Sequence, residues 1–189
     1  AVTVQYTFEG PGGRCTLADL FAGKSQLILY HFMYGAGWEE GCKSCSFWAD
    51  QYDAIGHHIG ARDVAMAVVS HAPLADFAGF KKRMGWRFPW LSSAGTRFNQ
   101  DFHVSFDEAG SLVEYNFRET RAHAEEMPGL SVFARDETGQ IFHTYSCYSR
   151  GLDPLNATYQ MLDLVPKGRD EGGLESPMAW VQLHDSYGG

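Results

Sequence analysis

The chain has 189 residues, 44% of them hydrophobic and 20% charged, and a formal net charge of −8. This composition predicts one folded domain with a substantial core and excludes general disorder. The acidic balance and the lack of a Lys/Arg run argue against nucleic acid or an anionic membrane surface as the main partner. No apolar stretch approaches the ~18 residues of a membrane-spanning helix.

The first half of the chain alternates predicted strands with predicted helices. Apolar runs of strand length at residues 26–34 and 64–70 indicate buried strands. Between them, residues 42–60 carry apolar side chains at helical spacing. The other elements expected here are a strand at 2–8, a short helix at 17–21, a loop at 35–41 and a helix at 73–84.

The second half predicts a terminal hairpin followed by a helix. Residues 130–135 and 140–146 flank Asp136-Glu137-Thr138-Gly139, which is typical of a hairpin turn. Residues 155–164, bounded by prolines, are expected to form the last helix. The less regular segments are an aromatic stretch at 86–90, a turn at 92–95, short strands at 104–106 and 112–115, a surface helix or loop at 118–126, a loop at 167–177 and a tail at 178–184.

The order of these elements predicts an α/β fold, a mixed central sheet flanked by helices with a C-terminal hairpin and helix. We expect residues 1–165 to form the domain, and residues 166–189 to be a C-terminal loop and tail packed on the same domain. The N-terminal residues alternate like a strand and do not form a signal peptide, so we expect a cytoplasmic protein.

Cys42-Lys43-Ser44-Cys45 is the most informative motif, because it lies where an apolar strand has ended and a helix begins. The free N–H groups and dipole at a helix start favour the thiolate, which is the nucleophilic form of cysteine. Two cysteines three residues apart can also close a disulfide. A strand, a C-x-x-C pair and a helix in this order indicate redox chemistry of the thioredoxin type.

Two other interpretations of the cysteine pair stay open. C-x-x-C is also half of a zinc site, but Cys15 and Cys147 stand alone and supply no second pair. The thiols could also be idle in a binding module.

Several stretches carry a combined resemblance to known proteins: Leu17–Phe21, Tyr30–Met33, Cys42–Asp50, Phe80–Trp90, Pro128–Phe133, Phe142–Tyr145 and Asp163–Asp170. Together they resemble one bacterial family, the thioredoxin-like proteins of domain-of-unknown-function family 899. The resemblance spans nearly the whole chain and implies the thioredoxin fold.

The wider thioredoxin pattern implies roles for four residues. Cys42 matches the exposed attacking cysteine and Cys45 the buried resolving one. Pro128 matches the proline that is cis in thioredoxins and faces the pair. His31 lies on the strand where thioredoxin carries a buried carboxylate that helps to deprotonate the resolving thiol. By its apolar setting alone, His31 would be a core histidine.

The chain also departs from related patterns. The loop before Cys42 is longer than in thioredoxin, and Lys43 and Ser44 replace the usual Gly-Pro. There is no peroxiredoxin-type Pro-x-x-x-Thr-x-x-Cys, so peroxidase activity is not favoured.

The first functional hypothesis is a thiol–disulfide oxidoreductase, with no cofactor and with a protein or small-molecule disulfide as its partner. The alternative is a copper-binding protein or copper-dependent enzyme that uses Cys42, Cys45 and His143 or His31, because thiolate and imidazole suit copper. Cys147 is a candidate third thiol, and Trp86–Trp90 is either core or a substrate platform. The sequence also leaves open whether the protein forms a homodimer.

Overall fold

A seven-stranded mixed sheet forms the centre of the computed structural model, which describes residues 1–188. The order of its strands is β2-β1-β5-β4-β3-β8-β9, and β6 and β7 form a separate hairpin. The strands are β1 Thr7–Gly10, β2 Gly13–Thr16, β3 Gln26–His31, β4 Val64–Ser70, β5 Trp90–Ser92, β6 Leu112–Tyr115, β7 Arg118–Arg121, β8 Gly129–Arg135 and β9 Ile141–Tyr148.

In the part of the chain that the structure describes, five α-helices and two 3₁₀ helices surround the sheet. They are α1 Lys43–Ala49, α2 Tyr52–Gly60, α3 Leu74–Arg83, α4 Phe98–Asp101 and α5 Ala157–Leu162, with 3₁₀ helices at Asp19–Phe21 and Ser149–Leu155. The longest, α3, has 10 residues. Within residues 1–188, no helix combines the length and hydrophobicity needed to span a bilayer.

Strand β3 lies inside the sheet, parallel to β4 on one side and antiparallel to β8 on the other, and is covered on both faces. Successive side chains of a strand point to opposite faces. Tyr30 and Phe32 therefore belong to the cluster that contains Cys45, which we call the front core. Leu27 and Leu29 belong to the cluster on the other face, which we call the back core.

The predicted mixed α/β fold is confirmed, and its differences from the structure lie mainly in the short elements. The predicted helix 42–60 is two helices, interrupted at residues 50–51. Strand β5 follows Pro89 directly and has only 3 residues, which is too short to give a periodic pattern. Strand β7 pairs with β6, and the turn that joins them is formed by Asn116 and Phe117, both at positive φ. Glycine usually marks such turns, and without one this segment carries no strong hairpin signal.

The expected cis bond at Pro128 is wrong. No cis peptide occurs within residues 1–188, so the Met127–Pro128 bond is trans. The Met127 N–H donates to the Val104 carbonyl at 2.8 Å, and Glu126 bridges to Ser105. The chain therefore runs extended into β8, a conformation compatible with the ordinary trans bond before proline.

The C-terminal segment packs against the front core without adding a strand. Val181 and Leu183 are buried there. Upstream, one carboxylate oxygen of Glu171 accepts hydrogen bonds from the Tyr159 hydroxyl at 2.9 Å, the Met178 N–H at 3.1 Å and the Trp180 indole N–H at 2.8 Å. Glu171 thus ties the tail to α5.

We expect Glu171→Ala to lower the free energy of unfolding by about 1–3 kcal/mol, because three partly buried donors lose their acceptor. Hydrogen exchange should rise most in residues 178–184. Glu175→Ala, an exposed change in the same segment, is the matched control and should leave both quantities unchanged. Equal exchange in the two variants would contradict the role given to Glu171.

Candidate active site

Cys42 and Cys45 lie at the start of α1, where the loop from β3 returns to the sheet. Cys42 is the N-cap residue, and its sulfur accepts the Cys45 N–H at 3.5 Å. The Cys45 sulfur, one turn further in, accepts the Met33 N–H at 3.5 Å. A side chain on Gly41 would lie 2.7 Å from both Phe32 and Phe80, so this loop fits closely against the front core.

The two thiols differ in exposure and in pKa, in the direction that the sequence predicts. Cys42 is partly exposed, whereas Cys45 is 1% exposed. A hydrogen bond from the Cys45 thiol, aided by the N–H groups of Cys45 and Ser44, lowers the pKa of Cys42 to about 7. Burial raises the pKa of Cys45 well above its usual value. The outer thiol is therefore the one that ionises more readily, and the inner one stays protonated and donates to it.

We expect Cys45→Ala to raise the pKa of Cys42 from about 7 toward the free-thiol value of about 8.5, because its main stabilising donor is lost. Cys45→Ser retains an O–H donor and should raise the pKa less. The measurement is the alkylation rate of Cys42 against pH. Identical midpoints in wild type and Cys45→Ala would show that the thiol pair is not coupled.

A cavity of ≈160 Å³ adjoins Cys45 on the front face of the sheet. Its wall includes Pro128, so the loop before β8 does lie next to the cysteine site although its proline is trans. The C-terminal segment contributes Met178, and the 3₁₀ helix after β9 contributes Arg150. The other lining residues are Tyr30, Met33, Ser44, Trp48, Ser149, Leu152 and Asp153.

Tyr30 is the residue of this site that sequence reasoning missed. It lies one position before His31, is fully buried and faces the cavity beside Cys45. The two-residue alternation of β3 could have found it, since Tyr30 and Phe32 share the face that the C-x-x-C helix covers.

His31 and His143 lie on the back face, away from Cys42 and Cys45. His31 stacks on Phe98 and Phe102 with ring centroids 5.6 and 5.8 Å away. Its Nε2 is 2.9 Å from the Ser131 hydroxyl, which is 2.9 Å from the Ser146 hydroxyl. The Ser146 hydroxyl in turn lies 2.7 Å from Nε2 of His143. One hydrogen-bonded chain thus joins the two histidines across the back of the sheet.

Because the sheet lies between the histidines and the cysteine pair, neither histidine is placed for the redox or copper role considered from the sequence. Within residues 1–188, no group of three or more His, Cys, Asp or Glu side chains is positioned to hold a metal ion. Cys42, Cys45 and His143 are therefore not one site, and His31 does not face Cys45. The sequence placed His31 near the cysteines because its strand leads to them, but its side chain points the other way.

Burial, reinforced by His143, lowers the pKa of His31 to about 3 from the usual 6.5. Below pH 6.5, His31 therefore binds a proton in the unfolded chain but not in the folded one. The stability of the folded state that is present above pH 6.5 is lost as the pH falls toward 3. His31→Gln removes this titration. Its melting temperature should therefore fall less than that of wild type between about pH 7 and about pH 4.5.

The same variant tests whether His31 acts on the thiols. We expect His31→Gln to leave the pH profile of Cys42 alkylation unchanged, because the residue is across the sheet. A shifted profile would restore the proton-transfer role that the sequence suggested.

The other residues considered from the sequence take structural positions. Cys147 is buried in the front core, and burial raises its pKa. Cys15 lies on β2, and its pKa is likewise raised by burial. Trp86, Phe88 and Trp90 are buried in the front core and form no exposed substrate platform.

Comparison with solved structures places this sheet and its helices in the thioredoxin fold as it occurs in peroxiredoxins. Peroxidoxin BcpB from Mycobacterium tuberculosis matches with a TM-score of 0.55 and 15% identity, covering 85% of this chain and 95% of that protein. The mitochondrial 2-Cys peroxiredoxin from Plasmodium falciparum matches with a TM-score of 0.50 and 10% identity, covering 87% and 92%.

The sequence itself identifies the family. The model of the bacterial proteins of unknown function DUF899 matches residues 1–187, so the chain belongs to that family. A search of curated proteins found no match.

Proposed function

We propose that the protein is a thiol–disulfide oxidoreductase in which Cys42 attacks and Cys45 resolves. The observation that carries this proposal is the asymmetry of the pair. Cys42 is accessible and has its pKa lowered to about 7, whereas Cys45 is buried one turn behind it and protonated. One thiol therefore meets the substrate, and the other is held back within reach of the first.

The reaction transfers two electrons from the dithiol to a substrate disulfide. The Cys42 thiolate attacks one substrate sulfur, forming a mixed disulfide and releasing the other sulfur as a thiolate that takes up a proton. Cys45 then loses its proton and attacks the Cys42 sulfur. The Cys42–Cys45 disulfide forms and the second substrate thiol leaves. An external reductant of the dithiol class is needed to restore the pair.

Competing chemistries find less support among the residues. Copper binding through Cys42, Cys45 and a histidine lacks its third ligand on the front face. Peroxide reduction is suggested by the names of the structural neighbours, but the identity of 10–15% supports only the fold. A binding module with idle thiols does not account for the lowered pKa of Cys42. We propose a protein or small-molecule disulfide as the substrate.

The trapping experiment tests the assignment of the two cysteines. Cys45→Ser should accumulate mixed disulfides through Cys42 when the reduced protein meets a disulfide substrate, because the resolving attack is absent. Cys42→Ser should accumulate almost none at the pair, since Cys45, its remaining thiol, is buried. Non-reducing mass spectrometry of the intact protein measures both.

Cys15→Ser, far from the cysteine pair in sequence and on the edge hairpin, is the matched control and should cycle like wild type. Equal trapping by Cys42→Ser and Cys45→Ser would contradict the assignment. Failure of wild type to form the Cys42–Cys45 disulfide under a mild oxidant would contradict the function itself.

A further inference from the structure

The Tyr30 hydroxyl is a buried polar group without a hydrogen-bond partner at the cysteine site. Tyr30 is fully buried and lines the same cavity as Cys45. Its hydroxyl oxygen makes no hydrogen bond within residues 1–188. Leaving such a group unpaired is unfavourable, which suggests that the hydroxyl finds a partner at some stage of the reaction.

The packing around Tyr30 holds its ring in one orientation. Tyr52 meets it edge-on with ring centroids 5.1 Å apart, and Phe32 does so at 6.3 Å. The Tyr52 hydroxyl is also buried and without a partner. The Tyr52 hydroxyl therefore does not accept a hydrogen bond from Tyr30, and Phe32 has no acceptor, while the Cys45 sulfur lies beside Tyr30 on the cavity wall.

We propose that Tyr30 is the hydrogen-bond donor that stabilises the Cys45 thiolate during the resolving step. This inference rests on the proposed function and adds a residue to it. In the resting protein, the protonated Cys45 donates toward Cys42 and the phenol stays unpaired. When Cys45 loses its proton, its sulfur becomes a strong acceptor, and the Tyr30 O–H and the Met33 N–H then bind it together.

The chemistry requires Tyr30 to act as a donor and not as a base. Burial and the neighbouring Cys45 raise the pKa of Tyr30 well above its usual value, so the phenol keeps its proton. The Cys45 proton passes to solvent, the Cys45–Cys42 bond forms, and the bond from Cys42 to the substrate sulfur breaks. Tyr30 lowers the free energy of the thiolate that attacks, while His31 on the back face takes no part.

The test follows the two steps separately with dithionitrobenzoate, an aromatic disulfide that releases one coloured thiolate on attack and a second on resolution. Tyr30→Phe removes only the hydroxyl. We expect the first release to keep the wild-type rate and the second to slow about tenfold, as loss of one hydrogen bond to a charged group predicts. Release by Cys42→Ser/Cys45→Ser is subtracted to remove the contribution of the other cysteines.

A pH profile separates this role from simple packing. If Tyr30 stabilises the thiolate, the rise of the second rate with pH should move about one pH unit higher in Tyr30→Phe. The melting temperature should be unchanged or higher, because the hydroxyl it loses had no partner.

Tyr34→Phe is the matched control. Tyr34 is equally buried, but its hydroxyl donates to the Trp38 and Asp76 carbonyls at 3.0 and 3.2 Å. This variant should melt at a lower temperature and keep both wild-type release rates.

The outcomes distinguish the inference from the function on which it depends. Equal second-phase rates and pH profiles in wild type and Tyr30→Phe overturn the role of Tyr30 while leaving disulfide exchange intact. Absence of a fast first phase in wild type overturns the proposed function, and the inference with it. A slowed first phase in Tyr30→Phe also overturns the inference, since the hydroxyl would then act on Cys42.

Discussion

The organisation of this protein depends on the burial of β3 on both faces. A strand with one exposed face would leave half of its side chains in water, but here every second residue enters a different core. Tyr30 meets the cysteines and His31 meets the phenylalanines of the back core, although they are neighbours in sequence. The sheet thus separates the cysteine pair from the histidines. The pKa values of each group are set by the residues on its own face of the sheet.

The asymmetry of the thiols follows from this framework together with the start of α1. The loop from β3 brings Cys42 to the helix end, where backbone N–H groups and the Cys45 thiol point toward its sulfur. Cys45 is carried one turn inward, into the front core beside Tyr30. The same three-residue separation therefore produces one accessible thiol with a lowered pKa and one buried thiol with a raised pKa.

The sequence predicted the α/β class, strand 64–70 and the deeper burial of Cys45 than of Cys42, because long apolar runs and a helix start are local signals. It did not predict β5 or β7, since one is very short and the other follows a turn without glycine. The misplacement of His31 has a different cause. The residues that lie near a motif along the chain are visible in the sequence, whereas the face that a buried strand presents depends on which elements cover it. Pro128 lines the cavity beside Cys45, but the cis bond expected for it is wrong, because a contact from Met127 to the distant Val104 holds the chain extended.

The contribution of Met178 to the cavity wall has a consequence for the order in which the site is built. Strand β3 and the two cysteines are synthesised before β8, which follows about eighty residues later. The segment tied by Glu171 comes later still, bringing Val181 and Leu183 into the front core. The cysteine pair is therefore made well before the segments that enclose it. Until then its thiols are open to any oxidant that the nascent chain meets.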